Sequence, residues 1–401
     1  MRLNNLYIMD ARDCLPQLDG NSIKMIYIDP PYNTQSKQFE YHDHHDNWHE
    51  LIEPLLQQSK RILREDGVIF ISIDDNKMVD IRLLGDKVFG APHFLGMFIT
   101  RQATRSNAKH INTIHEYIIA YAKNKKRCPA FEMKRVEMPQ YRDDILRLSK
   151  EIKLLFQQQG IAAAQAQLKK RLDNYAHREE FSWLRNYSIV DDNGEICFAK
   201  DLSTPSAPHE LHIPEIGLHL PALKTRGWSS REKLITLHRE HKLLFKDGRP
   251  YEKHLLKDSK DSAMSILNFY SRQGKHDLDK LGMGHMFKTA KPVELIKYLI
   301  KIATQPNDIV LDFFAGSGTT AQAVIECNLE DGGARKFILC QIAEPIKNNP
   351  AAVDTLLEYG FSGSIADIAR LRLEKIKQYY HLSNDFSVLH QQKGLFDFQT
   401  A

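Results

Sequence analysis

The sequence is poor in the features that announce several large protein classes. Its 401 residues include five cysteines (Cys14, Cys128, Cys197, Cys327, Cys340), dispersed and never spaced as C-x-x-C. That argues against a disulfide framework and a paired-cysteine zinc site, and reads as reduced thiols in a cytoplasm. No apolar run approaches the roughly 20 residues that span a bilayer. The opening MRLNNLYIMDARD has neither a long apolar stretch nor a small-residue cleavage site, so no signal peptide is expected. No phosphate loop of the form G-x-x-x-x-G-K-[ST] and no helicase signature is found, which argues against a nucleotide-driven motor. Neither sign of charge dominates: the net charge of +4 permits a nucleic-acid partner without demanding one. What remains is an ordinary soluble composition, 42% hydrophobic and 26% charged, in a chain long enough for two or three domains.

The first third alternates short apolar runs with helical patterns. LYIM (6–9), KMIYI (24–28) and VIFISI (68–73) read as strands; 48–63 and 76–88 carry apolar residues at helical spacing; FLGMFIT and EYIIAYA follow as strands. Such alternation predicts a parallel α/β sheet. Near Lys123 the basic run KNKKR marks a boundary. Residues 141–181 then read as a long polar helix, and 183–279 as a turn-rich stretch without sheet rhythm. The rhythm returns at Lys291. A helix with Pro292 at its start, the strand DIVLDFF (308–314), a glycine turn, a helix to Cys327, the strand KFILCQI (336–342) and a final helix within 354–380 follow in turn. Either α/β piece alone would leave sheet edges open, so one sheet built from both ends is expected.

Two short motifs carry chemistry. YIDPPYNT (27–34) runs an apolar strand into Asp29, Pro30, Pro31 and Tyr32. LDFFAGSGTT (311–320) is strand, glycine turn, helix, and such a turn lets backbone amides and a helix dipole meet a ligand. A phosphate loop lacks its lysine here, and a dinucleotide turn lacks its third glycine, with Ala321 in that place. Asp312, Phe314, Gly316 and Gly318 fit the D/E-x-F-x-G-x-G spacing of S-adenosylmethionine enzymes. A bare strand–helix turn, and for Asp-Pro-Pro-Tyr a bare strand end, are the plainer alternatives. Both motifs fall at the carboxyl ends of expected parallel strands, where open α/β sheets bind ligands, and so can face one cleft.

The pairing of DPPYNT with a later DFFAGSGTT resembles the β class of amino-group DNA methyltransferases, in which the catalytic motif precedes the recognition domain and the cofactor motif follows it. The run 39–90, including SIDDN (72–76), is similar to type III restriction–modification methyltransferase (Mod) subunits, as are HEYIIAYAKN (115–124) and FKTAKPVELIKYLI (287–300). The resemblance covers about 1–124 and 285–345; the middle matches loosely, at GWSSREKLITL (227–237). It implies a circularly permuted Rossmann-like α/β sheet with an inserted target-recognition domain. The expected divisions are a catalytic half (1–124), a recognition domain (125–284) and a cofactor half with a C-terminal helix (285–401).

The implied activity is transfer of a methyl group from S-adenosylmethionine to the N6 amine of a flipped adenine in double-stranded DNA. Asp29 and the Pro30 carbonyl would take the amine hydrogens, Pro31 would stiffen the loop, and Tyr32 would stack on the base. The cofactor would meet Asp312, Phe313, Phe314, Ala315, Gly316, Gly318 and Thr319, with Lys291 on its carboxylate and Asp13 on its adenine. A solvated lysine and a helix cap are the plainer readings of those last two. The strand after the cofactor motif lacks the acid that often holds the ribose, leaving Gln341 or Glu344 for that role. No metal is expected: HDHHD (42–46) is too crowded for a tetrahedral site and reads as a polar, DNA-facing loop, as does 98–110. Methylation of cytosine N4 and a non-catalytic DNA-binding module stay open as alternatives. So do a homodimer, a restriction partner, and a bacterial or phage origin for a DNA-associated cytoplasmic protein; no membrane partner is expected.

Overall fold

The computed structural model describes residues 1–34, 39–101 and 109–382. They form two compact units: Met1–Phe131 with the chain from Ala263 onward, and Glu132–Ser262.

The first unit is built on an eight-stranded sheet. Its strands, in chain order, are β1 (Asn5–Ile8), β2 (Ile23–Ile28), β3 (Leu63–Ile73), β4 (Phe94–Arg101), β5 (His115–Ala122), β6 (Ile266–Tyr270), β7 (Ile309–Asp312) and β8 (Lys336–Gln341). Its helices are α1 (Ala11–Cys14), α2 (Trp48–Ile62), α3 (Met78–Phe89), α4 (Arg272–Lys280), α5 (Val293–Ala303), α6 (Thr319–Asp331), α7 (Pro350–Glu358) and α8 (Ile365–Tyr379). The spatial order β1-β8-β7-β2-β3-β5-β4-β6 interleaves the two ends of the chain. This is the permuted α/β sheet that the resemblance implied. The sheet is mixed rather than wholly parallel, because β5 pairs antiparallel with both β3 and β4.

Burial explains the central strands. Every residue of β2 is buried, as a strand covered on both faces requires. Lys24 is tolerated there because its ammonium donates to the Asp66 carbonyl (2.6 Å) and carboxylate (2.9 Å). Ile26, Ile28, Ile69, Ile71, Leu311 and Phe313 form the core with Trp48, Leu55 and Leu56 of α2. Because β2 and β7 are parallel neighbours, with Val310 opposite Met25 and Leu311 opposite Ile26, their carboxyl ends open side by side. From β7 the chain turns towards β8 on one side, and from β2 towards β3 on the other. That reversal leaves a crevice at this point of the sheet.

The Glu132–Ser262 unit has its own core around Leu202, Ile213, Leu220, Trp228 and Leu234. It contains a four-stranded antiparallel sheet and a helix Arg142–Tyr175 that breaks at Gly160 (φ 82°, ψ −179°). The unit is narrower than the expected 125–284. Ile266–Tyr270 pairs with β4 as an edge strand of the large sheet, and Asp277 on α4 accepts from the Val293 amide at the start of α5 (2.9 Å). Among the described residues no helix is long and apolar enough to cross a membrane.

Candidate active site

At the end of β2 the chain enters Asp29-Pro30-Pro31-Tyr32, and the fold fixes this loop from three sides. The Trp48 indole donates to the Pro31 carbonyl (2.8 Å). Asp43 is buried, and its carboxylate accepts from the amides of Tyr32 (2.8 Å) and Thr34 (2.6 Å) and from the Thr34 hydroxyl (2.6 Å). Asn33 adopts a left-handed backbone (φ 57°) and its side-chain oxygen accepts from the His45 amide (2.7 Å). HDHHD is therefore a clamp on the loop as well as part of the cavity wall, through His42, His44 and His45. Residues 102–108 of the second expected DNA-facing loop lie outside the described residues.

Asp29 heads a cluster of four polar groups. The Tyr32 hydroxyl donates to Asp29 Oδ1 (2.8 Å), and Lys291 Nζ lies 3.2 Å from the same oxygen. Lys291 also donates to Glu116 Oε2 (2.8 Å) and to the Tyr32 oxygen (2.8 Å), so two of its hydrogens are committed to this cluster and its charge pairs with Asp29 as well. Burial raises the Asp29 carboxyl above its usual range; Lys291 opposes that and Glu116 adds to it. Burial alone would lower the Lys291 ammonium, yet Asp29 and Glu116 outweigh it and hold the charge on the amine.

Next to it, β7 delivers Asp312. Its carboxylate accepts from the Phe314 amide (3.1 Å) and the Thr320 hydroxyl (2.5 Å), and burial pushes it up to about 7. The turn passes through Gly316 (φ 51°) and Gly318 (φ 80°) before α6 begins at Thr319. At Gly318 a side chain would face both an unfavourable backbone region and the Ala369 methyl, at 3.3 Å from a Cβ. Gln341, ending β8, accepts from the Gly316 amide (2.8 Å) and so props the turn with its side-chain oxygen.

A cavity of about 910 Å³ joins the two motifs. That is at the upper end of the 300–1,000 Å³ typical of small-molecule sites. Asp29, Pro31, Lys291, Asp312, Phe313, Phe314, Ala315, Gly316, Thr319 and Gln341 line it. Pro30, Tyr32 and Gly318 are not among the lining residues; Pro30 is buried and Tyr32 sits behind Asp29. Asp13 is exposed on α1 and away from the wall. Asp10 caps that helix and lines the cavity, where the Arg12 guanidinium holds its carboxyl below the usual range.

Asp10, Asp43 and Glu116 were not singled out by the sequence. Glu116 had a signal: an acid opening an otherwise apolar strand. Asp43 lay in a loop whose histidines drew attention to metal chemistry. Among the described residues three ligand atoms converge only at Glu294, Glu326 and Glu330, and the Lys297 ammonium already donates to all three.

An interleaved α/β sheet with an acidic loop and a glycine turn on one cavity defines a Rossmann-like, methyltransferase-type enzyme fold. The family model for DNA methylases of the N6/N4 type matches residues 23–352, and the chain belongs to that family. It is 28% identical to a type III restriction–modification Mod subunit of Escherichia coli, over 88% of this chain and 59% of that protein. It is also 28% identical to the StyLTI Mod subunit of Salmonella typhimurium, over 93% and 57%. The type II methyltransferase M.KpnI of Klebsiella pneumoniae shows 28% identity over 93% of this chain and 87% of its own length. The chain thus spans under two thirds of the length of these type III relatives. Among solved structures, the cytosine-N4-specific PvuII DNA methyltransferase aligns at 12% identity and TM-score 0.41, over 93% of this chain and 92% of that one.

Proposed function

We propose that the protein is a site-specific DNA methyltransferase that moves a methyl group from S-adenosylmethionine to the N6 amine of a flipped adenine. The observation that carries this reading is the meeting of Asp29 and the Asp312–Thr319 turn on one cavity, from adjacent parallel strands. The walls fit such a cofactor. Buried or half-buried carboxylates (Asp10, Asp29, Asp312) suit a cationic ligand, Phe314 and Phe287 offer aromatic faces, and the α6 N-terminus suits a carboxylate. Bound there, S-adenosylmethionine would supply an electrophilic methyl group on a sulfonium sulfur.

The chain's own residues would do the rest. An exocyclic amine is a weak nucleophile because its lone pair is shared with the ring. Asp29 on the cavity wall accepts an amine hydrogen and favours a more tetrahedral nitrogen. The Pro30 carbonyl, now buried behind that wall, would take the other once the base is seated, and Pro30 and Pro31 keep the loop rigid. The raised carboxyl of Asp29 suits it to take the proton once the nitrogen has been methylated. Tyr32 lies behind Asp29 and outside the cavity wall. For its ring to stack on the unstacked base, offsetting part of the few kcal/mol that extrusion costs, it must turn towards the cavity when DNA binds. We assign Lys291 to this cluster rather than to the cofactor carboxylate, since it donates to Glu116 and Tyr32 and its charge pairs with Asp29. Gln341 donates one amide hydrogen to the Ile342 carbonyl (3.5 Å) and keeps the other for a ribose hydroxyl, with Glu344 on the same wall.

The Glu132–Ser262 unit is assigned to target choice, double-stranded DNA is the substrate, and a separate subunit would supply any cleavage, in the cytoplasm. The test is purified protein with tritiated S-adenosylmethionine and mixed DNA, followed by mass analysis of the nucleosides. N6-methyladenine in the wild type and none in Asp29→Ala is the expected result. N4-methylcytosine moves the assignment to the other base, and DNA binding without label removes the enzyme reading.

A further inference from the structure

The span matched by the family ends at residue 352, yet α8 (Ile365–Tyr379) lies against the cofactor turn. Ile365, Ala369 and Arg372 share one face of it at i, i+4 and i+7. Ile365 lines the cavity, Ala369 abuts Gly318, and Arg372 reaches beneath Ser317 and Thr319. Arg372 is fully buried (0% exposed). Its Nη1 donates to the hydroxyls of Thr319 (2.8 Å) and Ser317 (3.0 Å), with the Ser317 carbonyl at 3.4 Å, and its Nε donates to Gln322 (2.8 Å).

Two properties set this arginine apart. Among the described residues no carboxylate forms an ion pair with it and its buried Nη2 has no hydrogen-bond partner. Asp277 and Glu326 favour its charge only from a distance, and burial pulls the guanidinium down to about 10. A buried cation without a counter-ion is costly, so this position is one where a bound anion would be stabilising. In addition, a guanidinium only donates. Ser317 and Thr319 must therefore accept from it; the two hydroxyls lie 3.5 Å apart, so at least one hydroxyl hydrogen is left for another acceptor, and both residues face the cavity.

We propose that Arg372 is a positioning residue of the cofactor turn. It orients the Ser317 and Thr319 hydroxyls and holds positive charge behind the α6 N-terminus, so that the carboxylate end of a methionine-type ligand is recognised there. This rests on the reading that the cavity takes S-adenosylmethionine. The counter-charge that the fold omits is then supplied by the ligand.

The test compares two ligands that differ only in that carboxylate, S-adenosylhomocysteine and its decarboxylated form, by calorimetry on the full chain. Wild type is expected to prefer the carboxylate form by about tenfold or more, the usual worth of a charge-assisted hydrogen bond. Arg372→Met should lose most of that preference while binding the decarboxylated form nearly as before, and Arg372→Lys should keep part of it. An unchanged preference in Arg372→Met, or an equal loss for both ligands, overturns the proposal, because the arginine would then be inert or merely structural. Should Arg372→Met not fold, the double variant Ser317→Ala, Thr319→Val removes the hydroxyls and leaves the guanidinium in place. It should also lose the preference, and retention overturns the proposal. Wild type binding neither ligand would instead remove the cofactor reading on which it rests.

Discussion

At Asp29, burial and Glu116 favour the neutral acid while Lys291 favours the anion. The reaction needs the anion, so methylation should fall on the acid side as pH drops through the raised pKa. Glu116→Gln removes a neighbouring negative charge and leaves Lys291 more fully to Asp29. Both changes lower the Asp29 pKa, so the acid limb of single-turnover rates should move to lower pH. A limb that stays in place or moves up would show that Glu116 is not coupled to Asp29. Asp29→Ala should cost about a thousandfold or more in rate, within the range for lost acid–base and electrostatic groups. Its affinity for S-adenosylhomocysteine, which lacks the sulfonium charge that Asp29 would face, should be largely kept, since the glycine turn is untouched. Asp312 carries a stability prediction. Its carboxyl, pushed up from 3.8 to about 7, binds a proton more tightly folded than unfolded. Between those values the native state holds more protons, so this group's contribution to stability falls as pH rises. Asp312→Asn should remove that slope, and urea midpoints of both proteins near pH 5 and near pH 8 check it. Parallel pH dependences in the two proteins would contradict the assignment.

Elements explain why some of the site was legible in the sequence and some was not. The strands β2 and β7 and the two motifs could be read because burial, proline and glycine leave marks on neighbouring residues: Ile26 and Ile28 run into Pro30, Leu311 into Gly316. Asp43 could not be read as a clamp, because its partners are backbone amides of another segment and leave no trace in its own neighbourhood. The sequence shows no role for Asn33 and Thr34; in the structure they are anchor points of the loop. Lys291 was expected on the cofactor carboxylate; sequence order says nothing of Glu116 lying opposite it, to which its ammonium donates. Asp43→Ala should therefore leave cofactor affinity intact and slow methyl transfer by about tenfold or more, because a loosened loop misplaces the amine acceptors. Equal rates with intact binding would show that the loop holds itself. The long polar helix was expected to be continuous, yet it breaks at Gly160, whose φ and ψ belong to a region that side chains avoid. No atom lies within 4 Å of a Cβ built there, so Gly160→Ala should destabilise through backbone strain alone. The expected loss is about 1–3 kcal/mol by urea denaturation; wild-type stability would mean that the break relaxes.

For the whole molecule, the decisive feature is that the large sheet needs both ends of the chain. β7 lies between β8 and β2, so neither end forms the crevice alone. This was legible because each half would have left open edges. The far boundary of the insert was not, because Ile266–Tyr270 alternates buried and exposed residues within a turn-rich stretch and gave no buried run. The difference matters for any exchange of target choice between relatives. Residues 132–262 leave and rejoin the first unit at Phe131 and Ala263, where the Ala263 amide donates to the Phe131 carbonyl (2.8 Å). A chimera that replaces 132–262 should keep its rate on DNA and acquire a new methylated site. One that replaces 125–284 also removes β6, which pairs with β4, and Asp277, which caps α5 two residues after Lys291. It should lose activity together with thermal stability. Single-molecule sequencing of DNA from cells expressing each chimera, beside thermal unfolding of the purified proteins, separates the outcomes. If the shorter exchange folds and leaves the methylated site unchanged, target choice lies in the sheet unit, and the assignment of Glu132–Ser262 fails.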